Sequence, residues 1–310
     1  MNQTQTNTNL ALKKLKGIKP RGIKVDTCSS TNKKLLDIGV EVIDIFSKDS
    51  QFHIADRDDN ADEYYYKSLT EFLDDKIKFN FKESDLEFFI YANCNQDYSS
   101  AEYGLMGMFS GWLLSTLTKR NKQKNKPTTF YINGRGMTFN HLFLRANEID
   151  ELIVDNFRGD YLCNRLGHID GNVDLAAIIN CSANKNLGEY FCSVRGKGNA
   201  LIVANSYSKT ICWGVSSHYG KTNKVFFINL KGDQIGDCSC FPDGTVDLCI
   251  EYNVQRENMG AGGIEATKPY KNNHSKKLFP QLGDYAQILS ESDDKNQKIN
   301  IIKQIYNLMR

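Results

Sequence analysis

The stretch ELIVDNFRGDYLCNRLGHIDGNVDLAAIINCSANKNLGEYFCSVRGKGNALIVANSYSKTIC, from Glu151 to Cys212, decides the fold. Short β-branched runs recur in it between clusters of Gly, Asn and Asp. Working outward, the runs are Phe130–Ile132, Leu152–Val154, Ala177–Ile179, Leu201–Val203, Phe226–Ile228 and Leu248–Ile250. Their last apolar residues are spaced 22, 25, 24, 25 and 22 apart. A near-constant period in the twenties marks a solenoid, in which one unit stacks on the next. A second series runs in phase, through Cys163, Cys192, Cys212 and Cys238, which follow their anchors by 9, 13, 9 and 10 residues. The period therefore predicts a parallel β-helix of four to five coils over residues 128–253. Its inward positions form ladders of like residues about 4.8 Å apart. Cysteine, small and tolerant of burial, suits such a ladder without redox chemistry.

The flanking segments read differently. Residues 1–15 are polar and aperiodic and are expected to be disordered. Residues 16–118 read as an α+β region. Helices are expected from Ser30 onward, over Asp62–Asp75 and over Ser100–Lys119, and strands over Ile77–Phe81 and Leu86–Tyr91. The apolar face Leu105, Met108, Phe109, Trp112, Leu113 and Leu117 suits a helix that caps the first coil, since an open solenoid end templates aggregation. Residues 119–127 (KRNKQKNKP) form a basic linker, 254–292 a loop region, and 293–310 a capping helix expected on the last coil or on the N-terminal region.

Composition bounds the function. The 310 residues carry a formal charge of only +2, so no global field attracts nucleic acid or an anionic membrane. No apolar stretch is long enough to span a bilayer, and residues 1–9 have no secretory pattern. Nine cysteines, an odd number without a CxxC pair, point to reduced thiols in a cytoplasm.

The elements Arg158-Gly159-Asp160-Tyr161-Leu162 and Leu187-Gly188-Glu189-Tyr190-Phe191, each followed by a Gly-containing turn and an apolar strand, resemble the Gly-rich β-helix repeat known as the GXGXG domain. That domain occurs in glutamate synthase and in a formylmethanofuran dehydrogenase subunit. The resemblance covers residues 149–239 and implies a scaffold that carries no chemistry. Cysteine here partly replaces the glycine of that repeat.

Candidate chemistry is sparse. Asp56, Asp58, Asn60 and Asp62 open like a calcium loop, but Ala61 and Lys67 stand where Gly and Glu are required. Met259–Ile264 is glycine-rich without the Lys-Ser/Thr of a phosphate loop. Cys212 with His218 would make a nucleophile and base only in an exposed, electropositive setting. His141, His168 and His274 are scattered. Arg158-Gly159-Asp160 spells an adhesion tripeptide inside a repeated structural element. Asp155, Asp160, Asp170 and Asp174 fall within about one coil, and Asp155, Asp160 and Asp174 among them could place a general acid and base on a solenoid flank. The reading is a non-catalytic scaffold or binding protein with a protein partner and without cofactor or metal. One alternative is a β-helix hydrolase or lyase acting on carbohydrate through Asp155, Asp160 and Asp174. A second is a nucleic-acid binder through residues 119–126.

Overall fold

A computed structural model describes residues 30–48, 59–257, 264 and 266–308. The expected disorder of residues 1–15, the acids Asp56 and Asp58, and all of the glycine-rich loop but Ile264 lie outside it.

Four helices come first: α1 (Ser30–Phe46), α2 (Asp59–Lys76), α3 (Glu83–Asn93) and α4 (Ser100–Lys122). Between Asp59 and Lys122 there is no strand, which corrects the α+β reading. Leu86–Tyr91 lies inside α3, which starts where the Asp85 carboxylate accepts the Lys82 N–H at 3.0 Å. Leu86, Phe89 and Ile90 are its buried face. A short apolar run does not by itself distinguish strand from helix. Ile77–Phe81 is irregular. Two of its carbonyls, of Ile77 and Phe79, accept from the Arg120 guanidinium at 3.2 and 3.1 Å instead of from a strand.

The chain then winds into a parallel β-solenoid through β1 (Thr129–Asn133), β2 (Glu148–Asp155), β3 (Asn172–Ile179), β4 (Asn186–Leu187), β5 (Lys197–Ala204), β6 (Thr210–Ile211), β7 (Lys221–Ile228), β8 (Lys231–Gly232), β9 (Gln234–Ile235), β10 (Thr245–Tyr252), β11 (Gln255–Arg256) and β12 (Ala266–Tyr270). One long sheet has the order β1-β2-β3-β5-β7-β10-β12, and β4-β6-β9 and β8-β11 form short sheets on other sides. Seven stacked strands give about six turns, more than the four to five expected, because β12, beyond residue 253, adds a strand to the six runs that the sequence shows.

The register corrects the spacing by one residue. Val154 pairs with Ile178, Ile178 with Val203, and Val203 with Phe227. Ile179 and Ile228 stack instead with Ala204, on the opposite face. Val154, Ile178, Val203 and Phe227 fill the solenoid interior, whereas Ile179, Ala204 and Ile228 belong to a second core outside it. Strict alternation fails because Asp174 and Leu175, and likewise Asn199 and Ala200, both face outward. Pairing is interrupted at Asp174 and Asn199. The true repeat is 24–25 residues from β2 to β10, with shorter steps of 22 residues from β1 to β2 and 20 from β10 to β12.

The cysteine series also divides. Gly188 N donates to the Leu162 carbonyl and Cys212 N to the Leu187 carbonyl, so Cys163, Gly188 and Cys212 share one column. Cys192 N donates to Leu166 and Cys240 N to Val215, which puts Gly167, Cys192 and Cys240 in another. Sulfur alternates with glycine in the first column, and in the second Ser216 stands between Cys192 and Cys240. A Cβ on Gly188 would lie 3.1 Å from Cys212 Sγ, and one on Gly167 would lie 2.9 Å from Cys192 Sγ. Cys238 is exposed and joins neither column. The turns repeat as well. Asn156, Asn180, Asn205, Asn229 and Asn253 all have φ between 50 and 55°, a region that asparagine tolerates. Asn205, Asn229 and Asn253 each donate a side-chain bond to the asparagine one coil below.

Helix α4 covers the first coil, as the sequence predicts. It approaches so closely that a Cβ on Gly107 would lie 2.2 Å from the His141 carbonyl oxygen, and one on Gly111 2.4 Å from that of Leu144. Ser110 Oγ accepts from Phe143 N at 2.9 Å and Ser115 Oγ from Asn147 N at 2.8 Å. These side chains satisfy amides that the open end would otherwise leave unpaired.

The C-terminal part departs from the expectation. Residues 266–291 are not a loop but β12, α5 (Asn272–Leu278) and α6 (Gln281–Glu291). Helix α7 (Lys295–Asn307) does not cap an end; with α6 it lies on the outer face of the long sheet. Leu282, Ala286, Leu289, Ile301, Ile302 and Ile305 pack there against the outward residues, among them Ile153, Ile179, Ile202 and Phe226. A parallel sheet apolar on both faces requires such a cover.

Candidate functional site

The three acids that the sequence singles out are separated in role. Asp155 is fully buried under α7. Its carboxylate receives the Tyr131 hydroxyl at 2.6 Å, the Asn180 amide at 2.7 Å and Lys298 Nζ at 2.7 Å. Asp160 Oδ1 accepts the main-chain N–H groups of Asn184 and Lys185 at 2.7 and 3.0 Å, and so ties one coil to the next. Within the same tripeptide, Gly159 is required by its φ of +142° and its approach to the Phe139 carbonyl. Asp174 alone is on the open flank. It accepts from Asn199 at 2.8 Å and from the Tyr306 hydroxyl at 3.3 Å.

Other candidates are likewise taken up by the fold. Burial pushes the Cys212 thiol well above its ordinary value, while His218 is exposed. His141 is buried and stacked on Tyr161 at 4.7 Å, and burial lowers it to about 3. His168 Nδ1 meets Ser193 Oγ at 2.6 Å, and burial with nearby Arg145 and Arg165 holds it well below its ordinary value. His274 stacks on Tyr270. Within the basic run, Lys122 pairs with Glu148 and Asp150 at 3.1 and 3.2 Å, and Lys126 lies 3.9 Å from Glu83. Among the described residues no cluster of His, Cys, Asp or Glu could hold a metal, and no helix is long and apolar enough to cross a membrane.

What remains is a groove of about 380 Å³ on the flank where the long strands begin. Two rows of side chains line it, one residue per coil. The first row is Asn172, Lys197 and Lys221, stacked in register through β3, β5 and β7 and continued beyond the groove by Glu148 of β2. The second contains Asp174, Asn199 and Asn223, linked by amide bonds of 2.8 Å from Asn199 to Asp174 and from Asn223 to Asn199. Ile149, Val173 and Gly198 lie between the rows. The C-terminal end of α7 adjoins it, where Tyr306 also meets Asn199. Lys224 Nζ donates to the Tyr306 carbonyl at 3.1 Å and lies over its ring.

Of these residues the sequence reading singled out Asp174 only. The signal for the others was present. Lys197 and Lys221, like Asn199 and Asn223, are 24 residues apart, one turn of the solenoid. Comparison of the chain with protein-family models, with curated proteins and with solved structures yields no match.

Proposed function

We propose that this chain is a non-catalytic binding protein or scaffold whose β-solenoid presents a rigid flank to its partner. One observation carries the reading. Two of the three candidate carboxylates, Asp155 and Asp160, are committed to holding the molecule together, which leaves Asp174 alone on the flank beside rows that repeat side chains at a fixed spacing. A glycosidase needs two carboxyl groups facing one bond, roughly 5–10 Å apart. Asp155 is sealed beneath a helix, and Asp160 is bound to the next coil. Repeat proteins commonly recognise partners along extended surfaces of this kind. The implied likeness to the GXGXG scaffold agrees with it. The test is to incubate the purified chain with neutral and acidic polysaccharides and titrate new reducing ends. No release above the protein-free baseline is expected. Release that Asp174→Asn abolishes would overturn the reading in favour of a hydrolase.

A further inference from the structure

We infer that the flank groove binds an extended acidic polysaccharide, its carboxylates held by Lys197 and Lys221 and its hydroxyls by Asp174, Asn199 and Asn223. The inference rests on the binding reading and names the ligand class for that flank.

Lys197 and Lys221 are directly paired residues of adjacent parallel strands. Both are exposed. Like charges facing each other on adjacent strands are destabilising. Among the described residues no carboxylate lies within ion-pair distance of either lysine. Asp170 is already held by Arg195 at 2.8 Å, which with help from Lys197 keeps its carboxyl below its ordinary value. At the other end of the groove, by contrast, Lys122 neutralises Glu148 and Asp150. The groove is therefore graded, with unpaired positive charge over β5 and β7. An anion there relieves the repulsion.

The second row chooses between anions. Asp174, Asn199 and Asn223 offer both acceptors and donors, which match ligand hydroxyls. A deoxyribose phosphodiester backbone offers no donor for Asp174, and that of RNA only its 2′-hydroxyl, whereas every residue of a sugar chain carries several hydroxyls. Single-stranded nucleic acid also requires aromatic platforms for its bases, and the groove floor of Ile149, Val173 and Gly198 has none. Both rows advance one residue per coil, about 4.8 Å. A linear sugar chain laid across the strands can therefore repeat the same contacts at each rung.

The test uses the full chain with three probes, a hexagalacturonate, an alginate hexamer and a 12-nucleotide RNA, titrated at low and at raised salt. Binding of at least one uronate oligomer is expected, weakened tenfold or more in Lys197→Gln/Lys221→Gln and unchanged in Lys209→Glu on another side. Thermal unfolding of the double variant, expected at or above that of the parent, shows that it folds. Uronate binding that ignores the double variant, binding of RNA alone, or no binding at low salt would each overturn the inference. The same samples are assayed for chain scission. Scission with lysine-dependent binding would refute the non-catalytic reading and leave the groove in place. Lysine-independent binding without scission would do the reverse.

Discussion

Lys298 of α7 reaches through the outer core to Asp155 of β2, with Nζ 2.7 Å from Oδ2 and both side chains almost without solvent contact. The contact joins residues 143 apart in sequence and fastens the C-terminal helices to the solenoid. Removing one partner of a buried ion pair leaves an uncompensated charge and costs about 3–5 kcal/mol. Lys298→Met and Asp155→Asn are each expected to destabilise by that order. The double variant should lose much less than the sum. Chemical denaturation of the four proteins checks this; additive losses would mean that the two groups do not depend on each other.

The turn glycines make a second prediction. A Cβ on Gly220 would lie 2.0 Å from the Cys192 carbonyl oxygen, whereas one on Gly136 meets nothing. Gly220→Ala must push two coils apart, and overpacking of this kind costs about 1–3 kcal/mol or more. Gly136→Ala carries only the penalty of its left-handed φ of 76°, about 1–2 kcal/mol. Thermal unfolding should therefore place Gly220→Ala clearly below Gly136→Ala.

The asparagine column should behave as a unit. Asn229 donates to Asn205 at 3.1 Å and accepts from Asn253 at 3.0 Å. Asn229→Ala removes two hydrogen bonds, each worth about 0.5–1.5 kcal/mol, and places alanine at φ 51°. A loss of about 2–5 kcal/mol is expected from these terms together. Asn229→Gly keeps the turn and should lose less, which equilibrium unfolding will show.

Glu189 gives the stability a pH dependence. Burial raises its carboxyl from 4.5 to about 7, against the lowering effects of Asn186, Arg165 and Asn164. The folded chain thus holds this proton where the unfolded chain has released it. The contribution of Glu189 to stability is greatest below pH 4.5, falls as the pH rises from 4.5 to 7, and is constant above. Glu189→Gln should remove that fall and stabilise the protein at pH 8 by about 1–3 kcal/mol. Denaturant midpoints of both proteins between pH 4 and 8 decide it. Parallel curves would contradict the assignment.

The stacking was legible in the sequence because each turn repeats its chemistry at nearly constant spacing. The register was not, for two reasons. Ile178 and Ile179 are equally apolar since the sheet is buried on both faces, so hydrophobicity does not separate interior from exterior. Paired outward residues such as Asp174 and Leu175 then break the alternation on which strand reading relies. The helical character of Leu86–Tyr91 was hidden by the shortness of its apolar run. The cover of α6 and α7 depends on contacts such as Lys298 to Asp155, and nothing local to either residue reports them. The groove was half legible. Asp174 stood out as an acid, but Lys197 and Lys221 gain meaning only when aligned one turn apart.

That alignment is the claim on which the flank, its rows and its ligand depend. It is tested most directly by thiol cross-linking in a Cys238→Ser/Cys240→Ser background. Dibromobimane, which becomes fluorescent on bridging two neighbouring thiols, is added to Lys197→Cys/Lys221→Cys and to Lys197→Cys/Thr245→Cys. Adjacent rungs are about 4.8 Å apart and alternate rungs about twice that. Rapid bridging is expected in the first protein and little in the second. Equal bridging, or bridging only between positions 197 and 245, would contradict the alignment.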